Sequence, residues 1–132
     1  MAYEKILLAG LLALAIAAGA QNVSAANWVE IANSPKTVFF IDTESIRQID
    51  ASTYSMWYKT SNSDGSYELS LGYFDTQQVA FIISSVVAYD ANGNVIGSET
   101  RKPYEYILNW QPIIPGTISE ALYSYATGSS AY

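Results

Sequence analysis

The chain has 132 residues, half of them hydrophobic, with six Lys+Arg against twelve Asp+Glu, eleven Tyr, three Trp, no Cys and no His, for a formal charge of −6. One domain suits that length, and the apolar and aromatic content is too high for a disordered chain. The composition excludes a thiol nucleophile, a His general base, a Cys/His zinc site and a disulfide, and its acidic balance speaks against a nucleic-acid partner, which demands a basic face.

Met1 to Lys5 form a short charged start, followed by an uncharged run from Ile6 to Ala20 and then by Val23-Ser24-Ala25-Ala26. The run is shorter than the about 20 apolar residues of a membrane span. Together with the small residues after it, it predicts a secretory signal over residues 1–25. Val23 and Ala25 place the cut after Ala25, with Ala26 the alternative. Residues 26–132 then read as one exported domain, undivided by a Pro/Ser/Gly-rich linker or by a repeat. No cysteine follows the apolar run, so no lipid anchor on that residue is expected, and no stable membrane span after cleavage.

Period-two alternation dominates this domain. Trp28–Ala32 and Val38–Asp42 read as short strands around a Ser34-Pro35-Lys36 turn. Asp42 is placed to cap a single helical turn through Ile46, because a short acceptor satisfies free N–H groups. Tyr54–Thr60 is the next strand, and Asn62-Ser63-Asp64-Gly65 the next turn, with Gly65 supplying positive φ. Tyr67, Leu69, Leu71 and Tyr73 then face Glu68, Ser70 and Gly72, the pattern of a half-buried strand. In Val79–Tyr89 both alternating sets are apolar or small, namely Val79, Phe81, Ile83, Val87 and Ala80, Ile82, Val86, Ala88. That predicts a central strand covered on both sides. Asp90-Ala91-Asn92-Gly93-Asn94 makes a hairpin with Val95–Thr100, and Tyr104–Trp110 reads as one more strand.

The period changes after Pro112-Ile113-Ile114-Pro115-Gly116. Thr117 with Glu120 has the spacing of a capping box. Ile118, Ala121, Leu122 and Tyr125 fall at i, i+3, i+4 and i+7, one face of a short helix. Such a helix is marginal alone and has to lie on the sheet. The expected fold is α+β: an antiparallel sheet of about five or six strands with a C-terminal helix packed on one face.

Few residues suggest chemistry. Asp42 and Glu44 could form an acid/base pair, but a cap and a solvated carboxylate account for them. Asp90 to Asn94 alternates Asp and Asn as calcium loops do, yet the apolar strand resumes before the glycine and bidentate glutamate such loops need. A Ser nucleophile would have to use Lys36, Lys59 or Lys102 as its base, and no Ser-x-x-Lys occurs. No catalytic, metal or cofactor residue is therefore assigned. Arg101-Lys102 is the one adjacent basic pair, and Tyr104, Tyr106 and Trp110 fall on one face if their strand alternates. Tyr and Trp give large contact area with a polar tip, so Arg101, Lys102, Tyr104, Tyr106 and Trp110 are the candidate partner-binding residues.

Several motifs in order resemble the surface-adhesin protein E family: Phe40-Ile41-Asp42 with Ser45-Ile46, Met56-Trp57-Tyr58-Lys59, Tyr67-Glu68-Leu69 and Tyr73-Phe74-Asp75. Tyr89-Asp90 with Asn92-Gly93-Asn94-Val95-Ile96 is similar too, as is Pro112-Ile113-Ile114-Pro115-Gly116-Thr117 with Glu120, Leu122 and Tyr123. The resemblance spans Trp28 to Thr127. It implies a small exported bacterial domain of antiparallel sheet and helix that binds host extracellular proteins at the cell surface. It also implies a cysteine after Asp75 and another at the end of the last helix. This chain has Thr76 and Thr127 there, so packing has to replace the staple.

The expected function is that of an exported, non-enzymatic binding domain, adhesin-like, contacting a host extracellular matrix protein or an envelope protein, in the periplasm, in the medium or at the surface. The alternatives are a small periplasmic accessory or inhibitor protein and a carboxylate-based hydrolase. The hydrolase would need two of Asp42, Glu44, Asp75 and Glu105 about 5–10 Å apart in a cleft.

Overall fold

The computed structural model describes residues 25–101 and 109–132. The expected signal up to Ser24, and most of the strand expected over Tyr104–Trp110, lie outside these residues. Within them the chain forms an antiparallel sheet of eight strands and one α-helix: β1 (Trp28–Asn33), β2 (Thr37–Asp42), β3 (Arg47–Gln48), β4 (Thr53–Asn62), β5 (Tyr67–Asp75), β6 (Ala80–Tyr89), β7 (Val95–Thr100), β8 (Gln111–Pro112) and α1 (Ile118–Thr127). The α+β architecture expected from the sequence is the one observed.

The sheet is a meander in the order β1-β2-β4-β5-β6-β7. The two shortest strands extend its flanks. β3 pairs with β4 at Ser55 and Tyr54, past the reach of β2, and β8 pairs with β6 at Ala80 and Phe81, past the reach of β7. Neighbouring strands follow each other in sequence because the turns between them are short and carry their own hydrogen bonds. Asp64 accepts from the backbone N–H and the hydroxyl of Ser66, and Gly65 takes φ 91°. Asp90 accepts from the N–H groups of Asn92 and Asn94, and Gly93 takes φ 84°. Both glycines sit where a side chain rarely goes.

The core lies between the sheet and α1. Cross-strand partners share a face, and the helix-side face carries Ile41 opposite Tyr58, Met56 opposite Gly72, and Tyr54 opposite Phe74. Leu122, Tyr123 and Ala126 of α1 close over them together with Ile113. Four expectations change here. On β5 Tyr67 is buried and Glu68 exposed as expected, but beyond them the more deeply buried set is Ser70, Gly72 and Phe74, while Leu69, Leu71 and Tyr73 on the other face are half-buried. Small residues are needed under the helix because the rings of Phe74 and Tyr58 lie down there. A Cβ at Gly72 would stand 2.9 Å from Phe74 Cζ and 3.7 Å from Tyr58 Cε1.

On β6 a bulge breaks the strict alternation: Leu71 pairs with Ser85 but Gly72 with Ile83, leaving Ser84 as the extra residue. One inserted residue exchanges the faces beyond it. Val86 therefore joins Phe81 and Ile83, and Val87 joins Ile82. On α1 the buried stripe is Ser119, Leu122, Tyr123 and Ala126, and Tyr125 is 51% exposed. The stripe expected at Ile118, Ala121, Leu122 and Tyr125 is thus turned by about one residue, roughly 100°.

The capping box does not form. Thr117 is the N-cap, but its hydroxyl donates 2.6 Å to the Ile114 carbonyl and makes no bond to a helix N–H. At the other end Gly128, in the left-handed region at φ 70°, donates its N–H to the Ser124 carbonyl, a glycine stop of the usual kind.

Candidate functional site

Of the expected contact residues, Arg101 and Trp110 are described, whereas Lys102, Tyr104 and Tyr106 lie outside the described residues. Arg101 directly follows β7 and donates its backbone N–H to the Ser84 carbonyl at 2.8 Å. Trp110 precedes β8, whose Gln111 pairs with Phe81. Both strands border β6 on the same side, so the fold brings Arg101 and Trp110 to one margin of the sheet, near residues 81–84 of β6. Arg101 is exposed and Trp110 half-buried.

That margin continues along β7, where every residue from Val95 to Thr100 is exposed. Among the described residues β7 is hydrogen-bonded to β6 on one side and ends the sheet on the other. Its apolar residues stand out from the surface, Val95 at 59% and Ile96 at 66% exposure. A free edge presents unpaired N–H and C=O groups, which proteins commonly guard with Lys, Pro or bulges. The opposite edge, β1, has such a bulge between Glu30 and Ala32. Between Val95 and Thr100 there is neither Lys nor Pro, and the one charge is Glu99.

Of the carboxylates considered for acid/base work, Glu105 lies outside the described residues, and Asp42 and Asp75 are occupied by local structure. Asp42 is buried, and its Oδ1 accepts from the backbone N–H groups of Asn27 at 2.9 Å and Glu44 at 3.0 Å. It caps a 3-10 turn over Thr43–Ser45, as the sequence suggested. Ser45 in turn donates to the Asp42 carbonyl and accepts from the Trp57 N–H, tying the turn to β4. Glu44 is exposed. Asp75 accepts from the N–H of Gln77 and from the side-chain amide of Gln78, which shapes the β5–β6 loop. Val79 ends that loop at φ 50°, a strained conformation for a β-branched residue. Its carbonyl accepts from Ile113 and its side chain packs on the core.

Asp50, Asp64 and Asp90 all have carboxyls held below the usual range. The main causes are the Ser52 N–H for Asp50, the Ser66 hydroxyl for Asp64 and the Asn94 N–H for Asp90. The alternating Asp/Asn loop at Asp90 is thus a turn that binds its own backbone. The threonines standing where the family resemblance implies cysteines do similar work: Thr76 bonds to the Ser52 carbonyl and Thr127 to the Tyr123 carbonyl.

One feature escaped the sequence reading. Lys59, considered there only as a possible base, is 2% exposed on the face of the sheet away from α1. Its ammonium lies 4.6 Å from the ring centroid of Phe40 and 5.0 Å from that of Trp28. Phe40 is its direct partner across β2 and β4, so alternation could have placed these two together, while Trp28 arrives from β1. Cation–π contact suits a cation withdrawn from water. A shallow cavity of ≈ 150 Å³ lies nearby, lined by Ser34, Lys36, Phe40, Ser61 and Ser63 among others. It is smaller than the about 300–1,000 Å³ of most small-molecule sites.

Among the described residues no helix is long and apolar enough to cross a membrane. No protein-family model, no curated protein and no solved structure matches the chain. Among the described residues the exposed strand β7, with Arg101 after it and Trp110 on the same margin, is the feature that the expected contact residues adjoin.

Proposed function

We propose that the chain is an exported bacterial binding domain without enzymatic activity, adhesin-like in the sense of the surface-adhesin protein E family, which contacts host extracellular or bacterial envelope proteins. The observation that carries this reading is the β7 margin. It is a fully exposed strand with two outstanding apolar residues, adjoining the expected contact residues Arg101 and Trp110. Exposed strand edges and apolar side chains are what protein partners use. The carboxylates a hydrolase would need at Asp42 and Asp75 instead accept hydrogen bonds from their own turns, which favours binding over hydrolysis.

A pull-down tests the reading. The purified chain is immobilised and exposed in turn to host extracellular matrix proteins and to bacterial envelope extracts, and bound proteins are identified and then titrated individually. Saturable binding of a matrix protein supports the adhesin-like role, and saturable binding of an envelope protein supports the periplasmic accessory role. Turnover of a small molecule by the chain, or the absence of saturable binding to any protein, contradicts the proposal.

A further inference from the structure

We infer that β1 is a strap poised to open from the sheet, with the Trp28 indole as its catch: the Lys59 ammonium holds the ring in place, and the buried indole N–H favours release. β1 stands at the other end of the strand order from β7, so the device goes beyond the binding reading and does not depend on it.

The strap itself is lightly held. None of the six residues of β1 is buried, whereas β2, its partner, buries Ile41 and Asp42. The bulge between Glu30 and Ala32 interrupts the ladder that joins the two strands. Ile31 packs, partly buried, against the central cluster. Just before the strand, Asn27 is tied to the turn after β2. Its backbone N–H donates to Asp42 Oδ1 at 2.9 Å, its side-chain amide to Thr43 Oγ1 at 2.7 Å, and its carbonyl accepts from the Thr43 N–H at 3.1 Å. An element with few buried apolar contacts opens locally at a lower free energy than the core.

Trp28 reaches further than the rest of β1. It pairs with Asp42, which shares a face of β2 with Phe40, and Phe40 pairs with Lys59 of β4. The Lys59 ammonium lies 4.6 Å from the Phe40 centroid and 5.0 Å from that of Trp28. One cation on β4 thus touches a ring from each of the two strands beyond it. Lys59 is 2% exposed, and cation–π attraction is strongest where water is excluded.

The indole nitrogen works against this hold. Trp28 Nε1 is buried and has no hydrogen-bond partner among the described residues. The ammonium above the ring cannot serve it, because both groups are donors. An unpaired buried donor penalises the closed state by the hydrogen bond it would make with water. Opening β1 therefore gives up the ring contact and hydrates the N–H. The two effects are of the same order, the condition for an element with two accessible arrangements.

Native-state amide exchange of the full chain, read residue by residue, tests the strap. Protected amides of β1 are expected to exchange through an opening about tenfold or more frequent than the one that exposes β4 and β5. Lys59→Met keeps an unbranched apolar stem and drops the charge. It should quicken β1 exchange by about tenfold relative to β5. Replacing the indole of Trp28 by benzothiophene keeps the bicyclic shape and removes the N–H. That change should slow β1 exchange by about fivefold or more, and it keeps the test decisive if Lys59→Met fails to fold. Exchange of β1 in step with β4 and β5 would overturn the inference. So would a Lys59→Met effect that spares β1 or spreads equally over all strands, or a benzothiophene chain whose β1 exchanges as fast as the wild type or faster.

Discussion

Phe74 lies flat over the place where a side chain at position 72 would stand, and it has nowhere to go, being fully buried. Gly72→Ala is therefore expected to destabilise the fold by about 1–3 kcal/mol through overpacking, read as a lower denaturant midpoint. Ionisable residues set the pH range of the fold. Burial raises the phenol of Tyr58, with Glu68 adding to the shift and the Ser70 hydrogen bond opposing it. Burial also raises Tyr123, with Asp75 and Tyr54 contributing. A raised folded value means that the stabilisation is complete below about pH 10, the ordinary value for tyrosine, and is lost as pH rises from there through the raised values. The lowered carboxyls of Asp50, Asp64 and Asp90 act in the opposite sense. Their stabilisation is present above about pH 4 and is lost as pH falls through the lowered values. Thermal melting across pH should show a plateau between these limits. Replacing Tyr58 and Tyr123 by Phe should flatten the alkaline fall.

At the scale of elements, the seam between α1 and the sheet carries the strongest expectations. Leu122→Ala should cost about 2–5 kcal/mol, and Leu122→Asp should unfold the domain, since it places a charge against Met56 and Phe74 without a partner. Tyr125→Asp, on the exposed side, should leave the melting temperature unchanged. Glu120→Ala should stay within about 0.5 kcal/mol, because Thr117 turns its hydroxyl to Ile114 and no capping box exists to be broken. The same elements show what a sequence can convey. Strands β1, β2 and β4 to β7 were legible, because residues such as Asp64, Gly65, Asp90 and Gly93 carry turn chemistry that acts over four or five residues, whereas the two-residue β3 was not. The faces were not. The Ser84 bulge, the rings lying over Gly72 and the rotation of α1 are decided by contacts between strands or between layers, and alternation along one strand contains no trace of them.

For the whole molecule, no metal and no disulfide enters the account of its stability, so neither chelator nor reductant should alter its melting. The candidate site was legible in part for a related reason. Arg101 and Trp110 attract notice by residue type, but that both lie along one margin follows from β7 and β8 sharing β6. That every residue of β7 is exposed follows from its place at the end of the sheet among the described residues. The central claim is that this molecule works by contact. The measurement that bears on it most directly is a binding isotherm of the purified chain on each host matrix or envelope protein that it captures, at low and at high salt. The account predicts a curve that saturates at both salt concentrations, as a defined contact surface requires. Adsorption that never saturates, at either salt concentration, would contradict it.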